Sequence, residues 1–242
     1  TFNTPHPTAQ SVAPLLAAHF PHKLAGMLRI QTIPSIDDVR LLPYRTMKDQ
    51  RDHFQQRIFV AEGEKVVRRL LESGLSVASA LMPEKWLREL EPLLQSRPEI
   101  IDVYVADKEQ LEKLTGYSMY QGVLAVGRVP DPAAVDPVLK LSLQPRLFVA
   151  ADGINNSENM GVLVRNCSAF GVQALLIGET SSSPYMRRAV RTSMGTLFQL
   201  PVIESVSLVQ TLHQLRERGV RCIAAHPHAD KRTLSQASLA TD

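Results

Sequence analysis

The sequence predicts an α/β protein built from two successive units, and three observations support this fold class. Short apolar runs alternate with segments whose apolar residues recur at helical spacing, first before residue 130 and again from residue 146 onward. Four prolines between residues 130 and 145 disfavour regular structure and mark a linker. The composition, 44% hydrophobic and 21% charged over 242 residues, is sufficient for a packed core.

The first unit, residues 34–129, alternates strand and helix patterns, so we expect a mostly parallel, layered sheet. A strand over residues 57–63 leads into a helix over 64–74, whose apolar stripe consists of Val66, Val67, Leu70 and Leu71. Glu62 and Glu64 are expected to favour the start of that helix. Further strands are predicted at residues 77–82, 101–107 and 120–129, separated by helices at 84–96 and 108–116.

Residues 1–33 form an N-terminal extension with no assigned role. Their apolar stretch at residues 12–20 is short and interrupted by Pro14, which excludes a secretion signal and a membrane span. Two cysteines 55 positions apart, Cys167 and Cys222, exclude a disulfide framework and a thiolate zinc cluster. We therefore expect a cytoplasmic protein without membrane contact, in which Cys167 is a small buried residue and not a nucleophile.

The second unit, residues 146–242, is predicted to contain three strands. These lie at residues 146–153, 172–178 and 221–226, and a helix over 207–219 precedes the last of them, with one face formed by Leu208, Leu212 and Leu215. The formal net charge of the chain is only +3, so the overall charge does not indicate a nucleic-acid partner. Such a partner must be recognised from the local distribution of charge.

An unusual helix start follows the first of these strands. In "NNSENMGVLVRNCSAFGV", residues 155–172, the side chains of Asn156, Ser157 or Asn159 can cap the helix. Gly161 allows the close approach of another backbone or of a ligand. Arg165 has no acidic residue at helical spacing after it. The plain alternative is a well-capped helix whose arginine is exposed or paired with a distant acid.

A basic cluster follows further along the chain. Arg187, Arg188 and Arg191 lie within five residues, the first and last of them share a helical face, and residues 180–203 contain no acid. An unpaired basic face of this kind is a surface for phosphate groups, although a solvated charge run is the alternative. Three aromatic residues nearby are expected to pack in the core and not to stack on bases: Phe170, Tyr185 and Phe198.

Together, "NSENMGVLVRNCSAFGV" and "RRAVRTSMGTLFQLPV" resemble the SpoU (TrmH-type) family of RNA ribose 2'-O-methyltransferases, within the SPOUT class. The segments "FVAEGEKVVRRLLESG" and "VYVADKEQLEKLTGYSMYQGVLAVGRV" are similar to that family's ribosomal-protein-L30e-like substrate-binding domain. The resemblance covers roughly residues 35–235. It implies an L30e-like domain followed by a SPOUT methyltransferase domain with a trefoil knot, which would use S-adenosylmethionine to methylate a ribose in structured rRNA or tRNA as a homodimer.

The resemblance also implies roles for particular residues. Arg165 and Asn159 match the motif's catalytic arginine and asparagine. Because a guanidinium has a pKa above about 12, we expect Arg165 to hold a phosphate or stabilise developing alkoxide charge, with Asn159 orienting it. The basic cluster of Arg187, Arg188 and Arg191 would bind the RNA backbone. The hydroxyl of Ser193 would donate to a phosphate near the reacting ribose.

The family's second and third motifs, which supply most of the donor pocket and the knot, would follow residue 242. We therefore expect the sequence to be part of a longer enzyme or to continue in an unseen segment. The alternative is a naturally shortened, non-catalytic RNA or ribonucleoprotein binding module. Ala225 and His226 are weak candidates for donor contact. His226, His228 and Asp230 lack a further ligand of suitable spacing, so we expect no metal site.

Overall fold

Two open sheets organise the chain, and the computed structural model describes residues 27–116 and 122–225. The first sheet has the strand order β1-β4-β3-β5-β2, and the second is a parallel sheet of order β6-β7-β8. The strands are β1 (Leu28–Thr32), β2 (Ile58–Glu62), β3 (Val77–Met82), β4 (Ile101–Val105), β5 (Leu124–Arg128), β6 (Phe148–Ala151), β7 (Ala174–Ile177) and β8 (Val202–Glu204).

The helices of the described ranges cover both sheets, and none of them is long and apolar enough to cross a membrane. Short 3₁₀ turns occur at Val39–Leu41 and Thr196–Gln199. The α-helices are α1 (Leu42–Arg45), α2 (Gln50–Gln55), α3 (Glu64–Glu72), α4 (Glu84–Gln95), α5 (Lys108–Thr115), α6 (Val135–Leu141), α7 (Ser157–Ala169), α8 (Arg187–Thr192) and α9 (Leu208–Glu217).

The first sheet confirms the mostly parallel prediction with one reversed strand. β1, β3 and β4 pair in parallel, whereas β5 lies between β3 and β2 and is antiparallel to both. The apolar stripe of α3 is buried against this sheet as expected. β1 lies within residues 1–33, so the segment predicted to be an extension contributes an edge strand to the sheet. The sequence did not indicate β1 because Arg29 and Gln31 interrupt its apolar residues, whereas the recognised strands are apolar runs.

The proline-rich segment between the units contains a helix, which corrects the prediction of an irregular linker. α6 tolerates Pro137 because this proline is the third residue of the helix, where a backbone N–H has no acceptor within the helix. Val138 and Leu139 of α6 are buried with residues of β7, β8 and α9. The segment is therefore part of the core of the second unit.

The second sheet has three strands in the described ranges, but the third strand is not the predicted one. β8 occupies Val202–Glu204 and pairs with β7 in parallel, whereas residues 221–225 are exposed coil. The prediction was wrong for residues 221–225, which pair with neither edge of the sheet in the described ranges. His226 lies outside the described residues.

Aromatic side chains join the two units. The ring of Phe59 on β2 lies 5.6 Å from the ring of Tyr185 and 5.4 Å from that of Phe198, measured between centroids. Tyr185 and Phe198 are buried, which confirms their predicted packing role. Phe170 at the end of α7 is 77% exposed, so its prediction as a core residue was wrong. The first and second units thus share a core across their boundary.

Candidate active site and RNA-binding surface

Asn156 caps the helix α7 that carries the candidate catalytic residues. Its side-chain Oδ1 accepts hydrogen bonds from the backbone N–H groups of Glu158 (2.8 Å) and Asn159 (3.1 Å). Glu158 adds a negative charge to the first turn, where the helix dipole favours it. Of the three capping candidates, Asn156 therefore forms the cap, and Ser157 is the first helical residue.

Gly161 lets α8 approach α7 closely. A Cβ atom built at this position would lie 2.5 Å from the carbonyl oxygen of Ala189 and 2.9 Å from its Cα, distances that a real side chain does not adopt. The sequence left open whether a backbone or a ligand would come close here, and the structure shows that it is the backbone of α8. This packing brings the arginines of α8 alongside the start of α7.

Arg165 lies on the exposed side of α7. The buried side of the helix is formed by Met160, Val164 and Cys167, which point into the core. The guanidinium of Arg165 has no hydrogen bond or ion pair with any residue in the two described ranges. Its charge is therefore available to a substrate, as catalysis by this residue requires.

Asn159 is also exposed, but the helix does not bring it to Arg165. Six residues of α-helix separate the two positions by about 9 Å along the axis and by about 120° around it. The contact that the structure provides for Asn159 is the one from its backbone N–H to the Asn156 side chain. The structure therefore gives no support to the prediction that Asn159 orients Arg165.

Two arginines of the basic cluster pair with an acid from the first unit. Glu62, at the end of β2, has a side chain only 5% exposed, and its carboxylate oxygens lie 2.7 Å from Arg187 Nη2 and 3.3 Å from Arg191 Nη1. The prediction of an unpaired face was thus wrong for Arg187 and Arg191. A search for acids at helical spacing could not find Glu62, because it lies 125 positions before Arg187. The expected helix-start role of Glu62 is replaced by this ion pair across the unit boundary.

Arg188 is the most exposed member of the cluster. Its side chain is 69% exposed, and the carboxylate of Glu158 lies 4.0 Å from its Nη1. Ion pairs at this distance between exposed side chains contribute little free energy, because water and salt screen them. Arg188 can therefore exchange Glu158 for a phosphate group with little loss.

Ser193 is fully buried, which corrects its predicted phosphate contact. Its hydroxyl donates to the carbonyl of Val190 (2.8 Å) and accepts from the backbone N–H of Gly195 (3.2 Å). Nearby, Arg69 of α3 donates to the carbonyl of Met194 (2.6 Å), which holds this turn against the first unit. Ser193 therefore shapes the turn after α8 and does not face solvent.

The remaining predicted contacts are placed as follows. Ala225 is in exposed coil, and His226, His228 and Asp230 lie outside the described residues. Within the described ranges, no group of His, Cys, Asp or Glu side chains is arranged to hold a metal ion. Cys167 is buried as expected, and this burial raises the pKa of its thiol to about 11.

The loops after β6 and β7 meet at the carboxyl edge of the second sheet. Thr180 Oγ1 donates to the carboxylate of Asp152 (3.3 Å), and Ser181 Oγ donates to the carbonyl of Ala151 (3.1 Å). Directly after β8, the hydroxyl of Ser205 is buried without a hydrogen-bond partner among the described residues. Ligands of open α/β sheets bind at this edge. Sequence motifs did not indicate Asp152, Thr180 or Ser205, since only the sheet brings these loops together.

Comparison with known proteins assigns this chain to the RNA methyltransferases. Residues 146–241 match the SpoU rRNA Methylase family. An uncharacterized tRNA/rRNA methyltransferase of Mycobacterium tuberculosis is 30% identical over 218 residues, covering 88% of this chain and 74% of that protein. The chain belongs to the SpoU family of SPOUT methyltransferases.

Solved structures share this fold. An AdoMet-bound rRNA methyltransferase from Sinorhizobium meliloti has a TM-score of 0.63 at 17% identity, covering 77% of this chain and 69% of that one. An RNA 2'-O ribose methyltransferase has a TM-score of 0.60 at 22% identity, covering 84% of this chain and 75% of that one. These similarities confirm the predicted α/β fold class. The knot and the L30e-like character of the first unit stay predictions.

Proposed function

We propose that this RNA methyltransferase transfers a methyl group from S-adenosylmethionine to a ribose 2'-hydroxyl of tRNA or rRNA. The observation that carries the proposal is the exposed guanidinium of Arg165 on α7, which is unpaired within the described ranges and lies on the helix that follows the carboxyl end of β6. The choice of donor and acceptor is supported by the names of two solved proteins that share the fold, one AdoMet-bound and one a 2'-O ribose methyltransferase.

The carboxyl edge of the second sheet fits one side of a donor site. The unpartnered, buried hydroxyl of Ser205 after β8 is a polar atom that a ligand can satisfy, and Asp152 and Thr180 are exposed on the loops after β6 and β7. S-adenosylmethionine would supply an electrophilic methyl group when bound at this edge. Ser205, Asp152 and Thr180 are the described residues that would contact it.

Arg165 acts as a donor of hydrogen bonds and not as the proton acceptor. A guanidinium keeps its charge at any physiological pH, so the 2' proton is released to water as the 2'-oxygen takes up the methyl group. Arg165 can hold the phosphate beside the reacting ribose, and it can stabilise negative charge as it develops on the 2'-oxygen. The planar, forked guanidinium can donate two hydrogen bonds to one group in a fixed geometry, which a lysine ammonium cannot reproduce.

Methyl transfer tests the proposal directly. The intact protein is incubated with methyl-labelled S-adenosylmethionine and unfractionated bacterial tRNA or rRNA, and the RNA is digested to nucleosides. We expect label in 2'-O-methyl nucleosides. Arg165→Ala should lower the rate at least 100-fold, with RNA affinity reduced only a few-fold, since loss of one transition-state donor typically lowers kcat by about 10² to 10³.

Matched variants separate the catalytic role from a general loss of charge. Arg165→Lys keeps the charge but loses the fork, and it should recover little activity. Arg216→Ala removes an exposed arginine of α9 and should keep full activity. Label found only on bases would overturn the ribose assignment. RNA binding without any transfer, unchanged by S-adenosylmethionine, would instead favour the non-catalytic RNA-binding module.

The proposal includes a cytoplasmic homodimer, as the family resemblance predicts. Large apolar side chains are exposed on α7 and α9 and in the turn between β8 and α9, and they are suited to burial against a second copy: Val162, Phe170, Val206 and Val209. Light scattering of the purified protein should give twice the monomer mass. A monomeric mass at micromolar concentration would contradict this part of the proposal.

A further inference from the structure

A polar pocket of about 160 Å³ lies at the boundary between the two units. The first unit contributes residues from the turn after α1, and the second contributes the first residue of α7 and the start of α8, the lining residues being Met47, Lys48, Ser157, Arg187 and Arg188. A volume of about 10–15 Å³ measured in this way holds one water molecule, so the pocket admits a group of phosphate size together with water. Neither unit forms this pocket alone.

The pocket is lined by three cations, Arg187 and Arg188 of α8 and Lys48 from the turn after α1. Arg187 is 13% exposed and is held by the Glu62 carboxylate at 2.7 Å, so its guanidinium is fixed in place before any ligand arrives. Arg188 and Lys48 are exposed. All three side chains can donate hydrogen bonds to an anion. Because Arg187 is already held in place, it loses little conformational entropy when the anion binds.

The acids around the pocket do not cancel these cations. Four basic side chains (Lys48, Arg187, Arg188 and Arg191) stand against two acids, Glu62 and Glu158, which leaves an excess of two positive charges. Asp49, which follows Lys48 and caps the start of α2, adds one more negative charge, and counting it leaves an excess of one positive charge. The balance of charge in the pocket is therefore positive.

We propose that this pocket binds one phosphodiester group of the substrate RNA, so that the RNA backbone crosses the boundary between the units. The proposal rests on the RNA methyltransferase function and adds Lys48 of the first unit as an RNA-contacting residue. Ser157 is the first residue of the thirteen-residue α7, whose N-terminus adds a partial positive charge to the pocket wall.

The path of the RNA follows from the position of the pocket on α7. Glu158, which pairs with Arg188, and Arg165 are seven residues apart, so they lie on nearly the same side of the helix and about 10 Å apart along it. An RNA chain with one phosphate held between Lys48 and Arg188 can therefore run along the exposed side of α7 to Arg165. The pocket thus sets where along the RNA the reacting ribose falls.

The salt dependence of RNA binding tests the contribution of Lys48. Fluorescently labelled bulk tRNA and rRNA fragments are titrated with the intact protein and with Lys48→Ala at several salt concentrations. We expect Lys48→Ala to weaken binding several-fold at low salt. The slope of log affinity against log salt should become shallower by about 0.7 to 0.9, the change for one lost phosphate contact.

Two further variants sharpen the test. Lys85→Ala removes another exposed lysine of the first unit. Lys85 lies on α4, which packs in a different hydrophobic cluster from Met47, so this variant should leave the slope unchanged. Arg188→Ala should reduce the slope as Lys48→Ala does. The double variant should lose less affinity than the sum of the two, because both residues contact the same phosphate.

The outcomes separate this inference from the proposed function. If the wild-type protein methylates RNA but Lys48→Ala matches Lys85→Ala in slope and affinity, the pocket is not a phosphate site and the methyltransferase function stands. If Lys48→Ala and Arg188→Ala add fully, they contact different phosphates, and the single shared site is overturned. If the wild-type protein neither binds nor methylates RNA, both proposals fail.

Discussion

The carboxylate of Glu62 on β2 lies 2.7 Å from the guanidinium of Arg187 on α8, and both side chains are nearly buried. This ion pair joins the first unit to the second, beside the aromatic contact between Phe59 and Phe198. The ion pair holds Arg187 in place, whereas the sequence alone predicted that Arg187 belongs to an unpaired basic face. The packing of the first unit on the second therefore determines where Arg187 lies on the candidate RNA-binding surface.

We expect Glu62→Gln to lower the free energy of unfolding by about 3–5 kcal/mol, since removing one partner leaves a buried charge without compensation. Urea titration measures the change. Glu84→Gln is the matched control, because the Glu84–Arg88 pair is exposed and should contribute less than about 1 kcal/mol. Equal stability of the two variants would show that the Glu62 pair contributes no more than a surface pair.

We expect Gly161→Ala to lower the free energy of unfolding by about 1–3 kcal/mol, because the added methyl group would overlap the backbone of Ala189. An alanine elsewhere in a helix would instead be favourable by about 1 kcal/mol. Gly74→Ala is the control, since no atom lies within 4 Å of a Cβ at that position. Thermal unfolding compares the two, and a stabilising Gly161→Ala would contradict the close packing of α7 and α8.

We expect Ser193→Ala to destabilise the protein by about 1–3 kcal/mol, since the backbone N–H of Gly195 would lose its buried acceptor. The salt slope of RNA binding should not change, because the hydroxyl does not reach solvent. Chemical denaturation and the RNA titration measure the two effects. A shallower slope with unchanged stability would restore the phosphate contact that the structure contradicts.

We expect Asn156→Ala to destabilise the protein by about 1 kcal/mol, because it removes the cap of α7. Asn159→Ala removes an exposed side chain and should leave the free energy of unfolding within about 0.5 kcal/mol of wild type. Methyl-transfer rates of the same two variants then report any role of Asn159 at the ribose. An equal loss of stability in both would contradict the assignment of the cap to Asn156.

We expect iodoacetamide at pH 8 to modify Cys222 and leave Cys167 unmodified. Cys222 is exposed, whereas burial raises the pKa of the Cys167 thiol to about 11, so only about 0.1% of it is thiolate at pH 8. Mass spectrometry of the native and urea-unfolded protein locates the label, with Cys222→Ser as the control. Rapid labelling of Cys167 in the native protein would contradict its burial.

Local patterns in the sequence were sufficient for much of the fold. The stripe of α3, the sites of six of the strands and the helix that carries Arg165 all follow from spacing within short segments. β1 was missed because Arg29 and Gln31 interrupt its apolar residues, so that no continuous apolar run marks it, and β8 was missed because it has only three residues. α6 was missed because proline is tolerated in the first turn of a helix, where its missing N–H has no role.

The sequence by itself determined the family, the two-unit organisation and the arginines offered to RNA, because these depend on residue type and on spacing along one helix. Tertiary structure alone decided which of those arginines remain exposed. Glu62 reaches Arg187 and Arg191 from 125 and 129 positions away, Lys48 meets Arg188 at the pocket, and Ser193 is buried beneath its own turn. Contacts between distant segments arise from the packing of one unit on the other, and no periodicity along the chain records them.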